Sequence, residues 1–154
     1  GQHYSYPDAA HDYCAGPNSH TQLYRYRDLV CKGMETKKFL YLAHPDYFCG
    51  GIYEFDDVCK QISHDICKKA AETDTPLEIN IKLQKRKPQP YADGMHIMYP
   101  YRAFWQIAAE YPVKVIYGFD AHDPDLLKDM TNYDKADHIL QGIKLQFITK
   151  PLIK

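Results

Sequence analysis

Apolar and polar positions along this chain form blocks that predict short strands separated by helices. The clearest helix is predicted at residues 54–72, where apolar side chains recur every three or four positions and charged side chains occupy the opposite face. Its predicted apolar face consists of Phe55, Val58, Ile62, Ile66 and Ala70. A second helix is predicted at residues 99–112, with Pro100 near its first turn, and a third from residue 123, where acidic residues occupy the first turn.

Four segments have the apolar pattern and the length of buried strands. They are residues 39–44 (FLYLAH), 76–83 (PLEINIKL), 113–122 (VKVIYGFDAH) and 143–149 (IKLQFIT). Residues 85–94 contain too many prolines for a helix or a central strand. Because strands alternate with helices, we expect an α/β fold with a parallel sheet covered by helices, in one domain spanning residues 1–154.

Composition then narrows the classes of function. The 154 residues are 45% hydrophobic and 25% charged, which is typical of a globular domain. The net charge of −1 argues against a broad electrostatic contact with nucleic acid or anionic lipid. No apolar run reaches the length of a membrane span, and the first residues lack the pattern of a secretory leader. The five cysteines form no CxxC pair, which predicts reduced thiols and a cytoplasmic location.

Histidines and carboxylates lie near the C-terminal ends of the predicted strands. His3 belongs to a first strand-like piece, GQHYSYP, His44 ends the strand at residues 39–44, and Asp120 and His122 end the strand at residues 113–122. In parallel α/β folds, reactive groups gather at this end of the sheet. Imidazole and carboxylate groups that converge there are typical ligands of Zn²⁺, Mn²⁺ or Fe²⁺.

Alternation along a strand refines this prediction, because positions i and i+2 point the same way. The pairs that would share a direction are Asp120 with His122, Glu78 with Asn80 and, if its strand extends that far, His44 with Asp46. A single histidine at a strand end is more often a hydrogen-bonded structural residue, and an aspartate after a strand often begins a turn or a helix. Spacing alone leaves a metal site and a structural role both open.

Three motifs at these strand ends resemble the polymerase and histidinol phosphatase (PHP) family, and its histidinol-phosphatase-like branch in particular. They are HPD at residues 44–46, LEIN at 77–80 and GFDAHDP at 118–124, with GQHY at 1–4 upstream. The resemblance implies the C-terminal portion of a distorted (βα)7 TIM-like barrel with mostly parallel strands. It also implies a centre of two or three divalent metal ions (Zn, Mn or Fe) at the strand ends.

The resemblance also implies a role for individual residues. It places His3 and His44 on one metal ion, Asp120 on a second and His122 on a third. Asp120 would act in catalysis as a proton acceptor, and His122 would either bind metal or protonate the leaving alkoxide.

The remaining site residues surround these ligands. The resemblance places Asn80 at the substrate-binding floor of the cleft, and Asp46 and Glu78 next to the ligands. Phosphatases of the family bind the substrate phosphate with a basic side chain that follows the LEIN strand. The local candidates for this role are Lys82, Lys85 and Arg86. The sequence does not choose among the three, and a solvated loop is the alternative for each of them.

The chain departs from the family pattern in one respect. The family begins with an HxH pair on its first strand, and this chain contains no HxH pair. It starts at Gly1, just before the first matching ligand, and therefore resembles the C-terminal half of the domain. A half-barrel has an open sheet edge, which predicts association with another copy or with a complementary N-terminal half.

The expected function is that of a metal-dependent phosphatase, complete only with the missing half. Its expected substrate is a small phosphorylated metabolite, such as histidinol phosphate in histidine biosynthesis, and no nucleic-acid or membrane partner is expected. The alternative is a catalytically incomplete fragment that serves as an assembly or binding module. An amidohydrolase is a weaker third option, because no metal-bridging lysine and no HxH pair are evident.

Overall fold

A computed structural model describes residues 11–82, 87–119 and 131–149. Within these ranges the helices are α1 His20–Glu35, α2 Asp57–Thr73, α3 Arg102–Ala108 and α4 Thr131–Ile139, with a 3-10 helix at Tyr47–Gly51. The strands are β1 Leu77–Asn80, β2 Gln89–Tyr91, β3 Gly94–His96, β4 Lys114–Gly118 and β5 Gln146–Phe147. The helix predicted from residue 123 falls mostly outside the described residues.

Helices α1 and α2 pack against each other, and both begin at a side-chain cap. Ser19 and Gln22 form a reciprocal capping box at the start of α1. Asp56 caps α2 by accepting a hydrogen bond from the Cys59 amide at 2.9 Å. The predicted apolar face of α2 is confirmed at its centre, where Ile62 and Ile66 are fully buried.

The strands form an open parallel sheet in the order β1-β4-β5. Leu77 pairs with Val115 and Asn80 with Gly118, so β1 and β4 end together at one edge. All four residues of β1 are buried, as expected for a parallel strand covered on both faces. The mixed α/β fold and the parallel strands predicted within residues 76–83, 113–122 and 143–149 are confirmed, and the described strands do not close a barrel.

The strand predicted at residues 39–44 is wrong in extent. Only Leu42 pairs with the sheet, through a single parallel bridge to Leu77. Phe39 and Leu40 are more than 40% exposed, and His44 has a φ of +31°, which ends the extended conformation. The apolar run is therefore a short edge contact and not a buried strand.

The proline-rich region contributes a separate antiparallel ribbon, β2–β3, in which Pro90 pairs with Met95. A two-stranded ribbon tolerates proline because each strand has a free edge. Helix α3 then begins after Tyr101, inside the predicted range 99–112, and buries Phe104 and Trp105 in the core. None of the helices in the described ranges combines the length and the apolar character that crossing a membrane requires.

The α1–α2 contact gives a direct test of the core. We expect Ile66→Ala to lower the free energy of unfolding by about 2–4 kcal/mol, because it leaves a cavity at a fully buried position. Urea denaturation followed by circular dichroism measures this change. Lys68→Ala on the exposed face of the same helix is the matched control and should change stability by less than about 0.5 kcal/mol. Equal effects of the two substitutions would contradict the packing of α2.

Candidate functional site

The C-terminal edge of the sheet brings together three of the predicted residues, His44, Glu78 and Asn80, which we call the strand-end cluster. Glu78 Oε2 accepts the backbone N–H of His44 at 3.0 Å and the side-chain amide of Asn80 at 3.2 Å. Glu78 and Asn80 lie two positions apart on β1 and both are buried. The carboxylate therefore joins the end of β1 to the segment that follows the Leu42 bridge.

Gly118 makes room for this carboxylate on the neighbouring strand. It pairs with Asn80 at the end of β4, and a Cβ atom at this position would overlap Glu78 Oε1. The φ of Gly118 is not in the left-handed region, so the requirement for glycine comes from the Glu78 side chain alone. Three chain segments thus meet at one buried carboxylate.

His44 occupies a strained turn at the rim of the cluster. Its φ of +31° lies in the left-handed region, which costs a non-glycine residue roughly 1–2 kcal/mol. The imidazole is 4% exposed, and its ring centroid lies 4.7 Å from that of Tyr47 and 5.8 Å from that of Tyr99. Strained residues of this kind are concentrated at functional sites, because neighbouring contacts must hold them in place.

Asp46 is hydrogen-bonded to helix α3 and to the residue that precedes it. Its Oδ2 accepts the backbone N–H of Tyr101 at 2.7 Å and the indole N–H of Trp105 at 2.9 Å. Because the strand ends near Leu42, His44 and Asp46 do not share the direction that a longer strand would have given them. Asp46 Oδ1 is buried and has no hydrogen-bond partner among the described residues.

The environment of Asp46 changes its titration. Burial raises the pKa of its carboxyl group to about 7, against the opposing effect of the two N–H donors from α3. The negative charge of Glu78 adds a smaller increase in the same direction. Near neutral pH this group is therefore partly protonated.

The predicted phosphate-binding residues are described only in part. Lys82 follows β1, and its backbone N–H donates to Asn80 Oδ1 at 3.0 Å, which ties the start of the loop to the strand-end cluster. Lys85 and Arg86 lie outside the described residues. Lys82, the one candidate within the described residues, is thus placed next to Asn80.

The predicted metal ligands are described at one position only. His3, Asp120 and His122 lie outside the described residues, although β4 ends at Gly118, two positions before Asp120 in the sequence. Within residues 11–82, 87–119 and 131–149, no three His, Cys, Asp or Glu side chains are grouped closely enough to hold a metal ion. His44 has an imidazole, the donor that Zn²⁺, Mn²⁺ and Fe²⁺ sites commonly use.

Four of the five cysteines are poorly suited to act as nucleophiles. All five are free thiols. Burial raises the pKa of Cys31 and Cys59 to about 12, and that of Cys49 and Cys67 well above the usual range. Because the thiolate is the reactive form, these four side chains are poorly suited to nucleophilic attack near neutral pH.

A half-open cavity of about 470 Å³ lies elsewhere, between β3, α3 and α4. Its lining includes Met95, His96, Arg102, Gln106 and His138. Among the described residues that line it there are none of the site residues that the sequence predicted. No local motif identifies it, because its walls come from three elements that are distant in the sequence.

Sequence reasoning also missed the surroundings of His44 and Asp46. Tyr47, Tyr99 and Trp105 contact these two residues, although the last two belong to a segment whose pattern predicted only a helix. The chain's high tyrosine content was the one available signal, since an aromatic ring with a polar tip suits a partly buried site.

Comparisons with protein-family models, curated proteins and solved structures found no match.

Gly118→Ala tests the arrangement around Glu78. We expect it to lower the free energy of unfolding by about 1–3 kcal/mol, because the added methyl group displaces the buried carboxylate. The double variant with Glu78→Ala removes the overlap and should lose less stability than the sum of the two single variants. Chemical denaturation of all four proteins measures this coupling, and strictly additive losses would contradict the contact.

The pKa of Asp46 predicts a pH dependence of stability. Its native pKa of about 7 exceeds the ordinary value of 3.8, so the native state binds more protons than the unfolded chain between these values. The contribution of Asp46 to the free energy of unfolding is therefore fully present below about pH 4 and is lost as the pH rises through about 7. Asp46→Asn keeps an oxygen for both donors and does not titrate.

The free energy of unfolding of Asp46→Asn relative to the wild type should thus rise by a few kcal/mol between about pH 4 and pH 7 and then level off. Urea denaturation across this range measures the difference. If the difference in free energy of unfolding between the two proteins does not change with pH, the raised pKa of Asp46 is contradicted.

Proposed function

We propose that this chain carries part of the catalytic centre of a metal-dependent phosphoesterase of the PHP family. In this proposal the open parallel sheet is the C-terminal portion of a distorted (βα)7 TIM-like barrel. The substrate is a small phosphomonoester of the histidinol phosphate kind. A complementary N-terminal half, or another copy of the chain, completes the site.

One observation carries the proposal. His44, Glu78 and Asn80, which come from the HPD and LEIN motifs, meet at the C-terminal edge of the parallel sheet. The register of β1 and β4 brings Gly118, the first residue of the GFDAHDP motif, to the same edge, because Gly118 pairs with Asn80. This edge is where α/β folds bind substrates and place catalytic groups.

The proposed chemistry follows from the residue types. His3, His44, Asp120 and His122 would hold divalent metal ions, which supply a hydroxide nucleophile near neutral pH and neutralise charge on the phosphate oxygens. Asp120 would accept a proton, and His122 would bind metal or protonate the leaving alkoxide.

The remaining residues would orient the substrate. Asn80 ends β1 and accepts the Lys82 N–H, and would thereby hold the start of the loop that also contains Lys85 and Arg86. A basic side chain from this loop would bind the phosphate. The net charge of −1 is better suited to a small phosphorylated metabolite than to a nucleic-acid strand.

A binding or assembly module is the second candidate. The observation that favours it is the 470 Å³ cavity between β3, α3 and α4, since its volume suits a small ligand and it shares no residue with the strand-end cluster. In this case His44 and Glu78 would have a purely structural role.

Metal-dependent hydrolysis separates the two functions. We expect the purified chain, at concentrations at which two copies associate and complete the site, to hydrolyse p-nitrophenyl phosphate in the presence of Mn²⁺ or Zn²⁺. His44→Ala should lower this rate about 100-fold, because a ligand is removed. His20→Ala replaces an exposed histidine on α1 and is the matched control, with unchanged rate expected. Metal content, measured by elemental analysis, should fall with His44→Ala alone.

The opposite result would favour the binding module. It would consist of a metal content far below one equivalent, together with hydrolysis that is absent or equally fast in the wild type and in His44→Ala.

A further inference from the structure

We propose that Trp105, acting through Asp46, is a positioning residue for the His44 imidazole. The inference rests on the proposed function, in which His44 binds metal. From the helix pattern alone, this buried tryptophan has a role only in packing.

The strained turn at residues 44–46 is held by contacts with other segments of the chain. His44 has a φ of +31°, and such a conformation persists only where neighbouring groups hold it. Glu78 on β1 accepts the His44 N–H at 3.0 Å, and Tyr26 on α1 donates its hydroxyl to the Pro45 carbonyl at 2.9 Å. Helix α3 supplies the third support, through Asp46.

The contact with α3 is buried and specific. Asp46 is fully buried, and its Oδ2 accepts two N–H groups from α3 and its N-terminal boundary, those of Trp105 and Tyr101. A buried polar group that loses a hydrogen-bond partner typically costs 1–3 kcal/mol. Replacing the indole by a ring without an N–H group therefore weakens the hold of α3 on the turn while keeping most of the packing.

The consequence reaches His44 through the short backbone between the two residues. When Asp46 is less firmly held, the turn can relax from its left-handed conformation toward more favourable φ values. The imidazole would then leave its place beside Tyr47 and Tyr99, whose rings lie 4.7 and 5.8 Å away. A metal ligand held in one orientation binds more tightly, and the loss of such supporting contacts typically costs 10- to 100-fold in metal affinity.

The test compares four variants of the full chain. Trp105→Phe removes the indole N–H, and Asp46→Ala removes both hydrogen bonds to α3. Asp46→Asn is the conservative variant, since its amide oxygen can still accept both. Ile107→Ala on the same helix is the matched control, because it loosens the core at a buried position that makes neither hydrogen bond.

The first measurement does not depend on metal. The imidazole signals of His44 are followed by ¹H–¹⁵N NMR and assigned by their loss in His44→Gln. We expect these signals to shift and broaden in Trp105→Phe and Asp46→Ala, and to stay in place in Asp46→Asn and Ile107→Ala. Unchanged signals in Trp105→Phe, or an equal change in Ile107→Ala, would overturn the inference.

The second measurement is the affinity for Mn²⁺, by isothermal titration. Trp105→Phe should bind Mn²⁺ roughly 10- to 100-fold more weakly than the wild type, and Ile107→Ala with the wild-type affinity. If the wild type binds no Mn²⁺, the proposed function fails, while the NMR comparison still decides whether Trp105 positions His44.

Discussion

The Glu78 carboxylate is the contact on which the rest of the site depends. It touches three chain segments at the C-terminal edge of the sheet, through the His44 amide, the Asn80 side chain and the space left by Gly118. A buried carboxylate that accepts N–H groups and lies against a glycine has little freedom to move. The geometry of the strand ends is therefore fixed by a side chain that, in the proposed reaction, does not itself act on the substrate.

A second contact holds the turn at this edge of the sheet, and it comes from helix α3. The turn that contains His44 joins the sheet edge to α3, because Asp46 accepts a hydrogen bond from the Trp105 indole. The segment thus has two anchors, one in the sheet and one in a helix. These two anchors explain why His44 and Asp46, which are separated only by a proline in the HPD motif, contact different parts of the molecule.

Local periodicity predicted much of the fold. The alternation of α2 was visible because its buried face includes Ile62 and Ile66 at helical spacing, and the apolar run of β1 was visible because both of its faces are covered. Helix α1 was not predicted, although its buried Leu23, Tyr26 and Val30 have helical spacing and a capping box precedes them. Its tyrosines and arginines masked the pattern. The apolar run at residues 39–44 was misleading, because apolar character does not decide whether a segment pairs with a sheet.

The part of the candidate site that lies at the C-terminal edge of the sheet was predictable from the sequence. Parallel strands end together, so His44, Glu78 and Asn80 could be expected near one another before the structure was seen. The orientation of Asp46 could not, because it depends on a φ value and on a helix that lies 55 positions away in the sequence. The cavity formed by β3, α3 and α4 is equally invisible to local patterns, since tertiary packing alone creates it.

The parallel register between β1 and β4 has a consequence for how the chain folds. The ribbon β2–β3 and helix α3 lie between the two strands in the sequence, so a long loop must close before Leu77 can meet Val115. Closing such a loop costs chain entropy before any pairing energy is gained, and it slows folding relative to local helix formation. Contacts between α1 and α2 span 34 to 38 positions, close to the 38 positions between Leu77 and Val115. The strand ends also require His44 to meet Glu78, so more than one loop of this size must close before they are assembled.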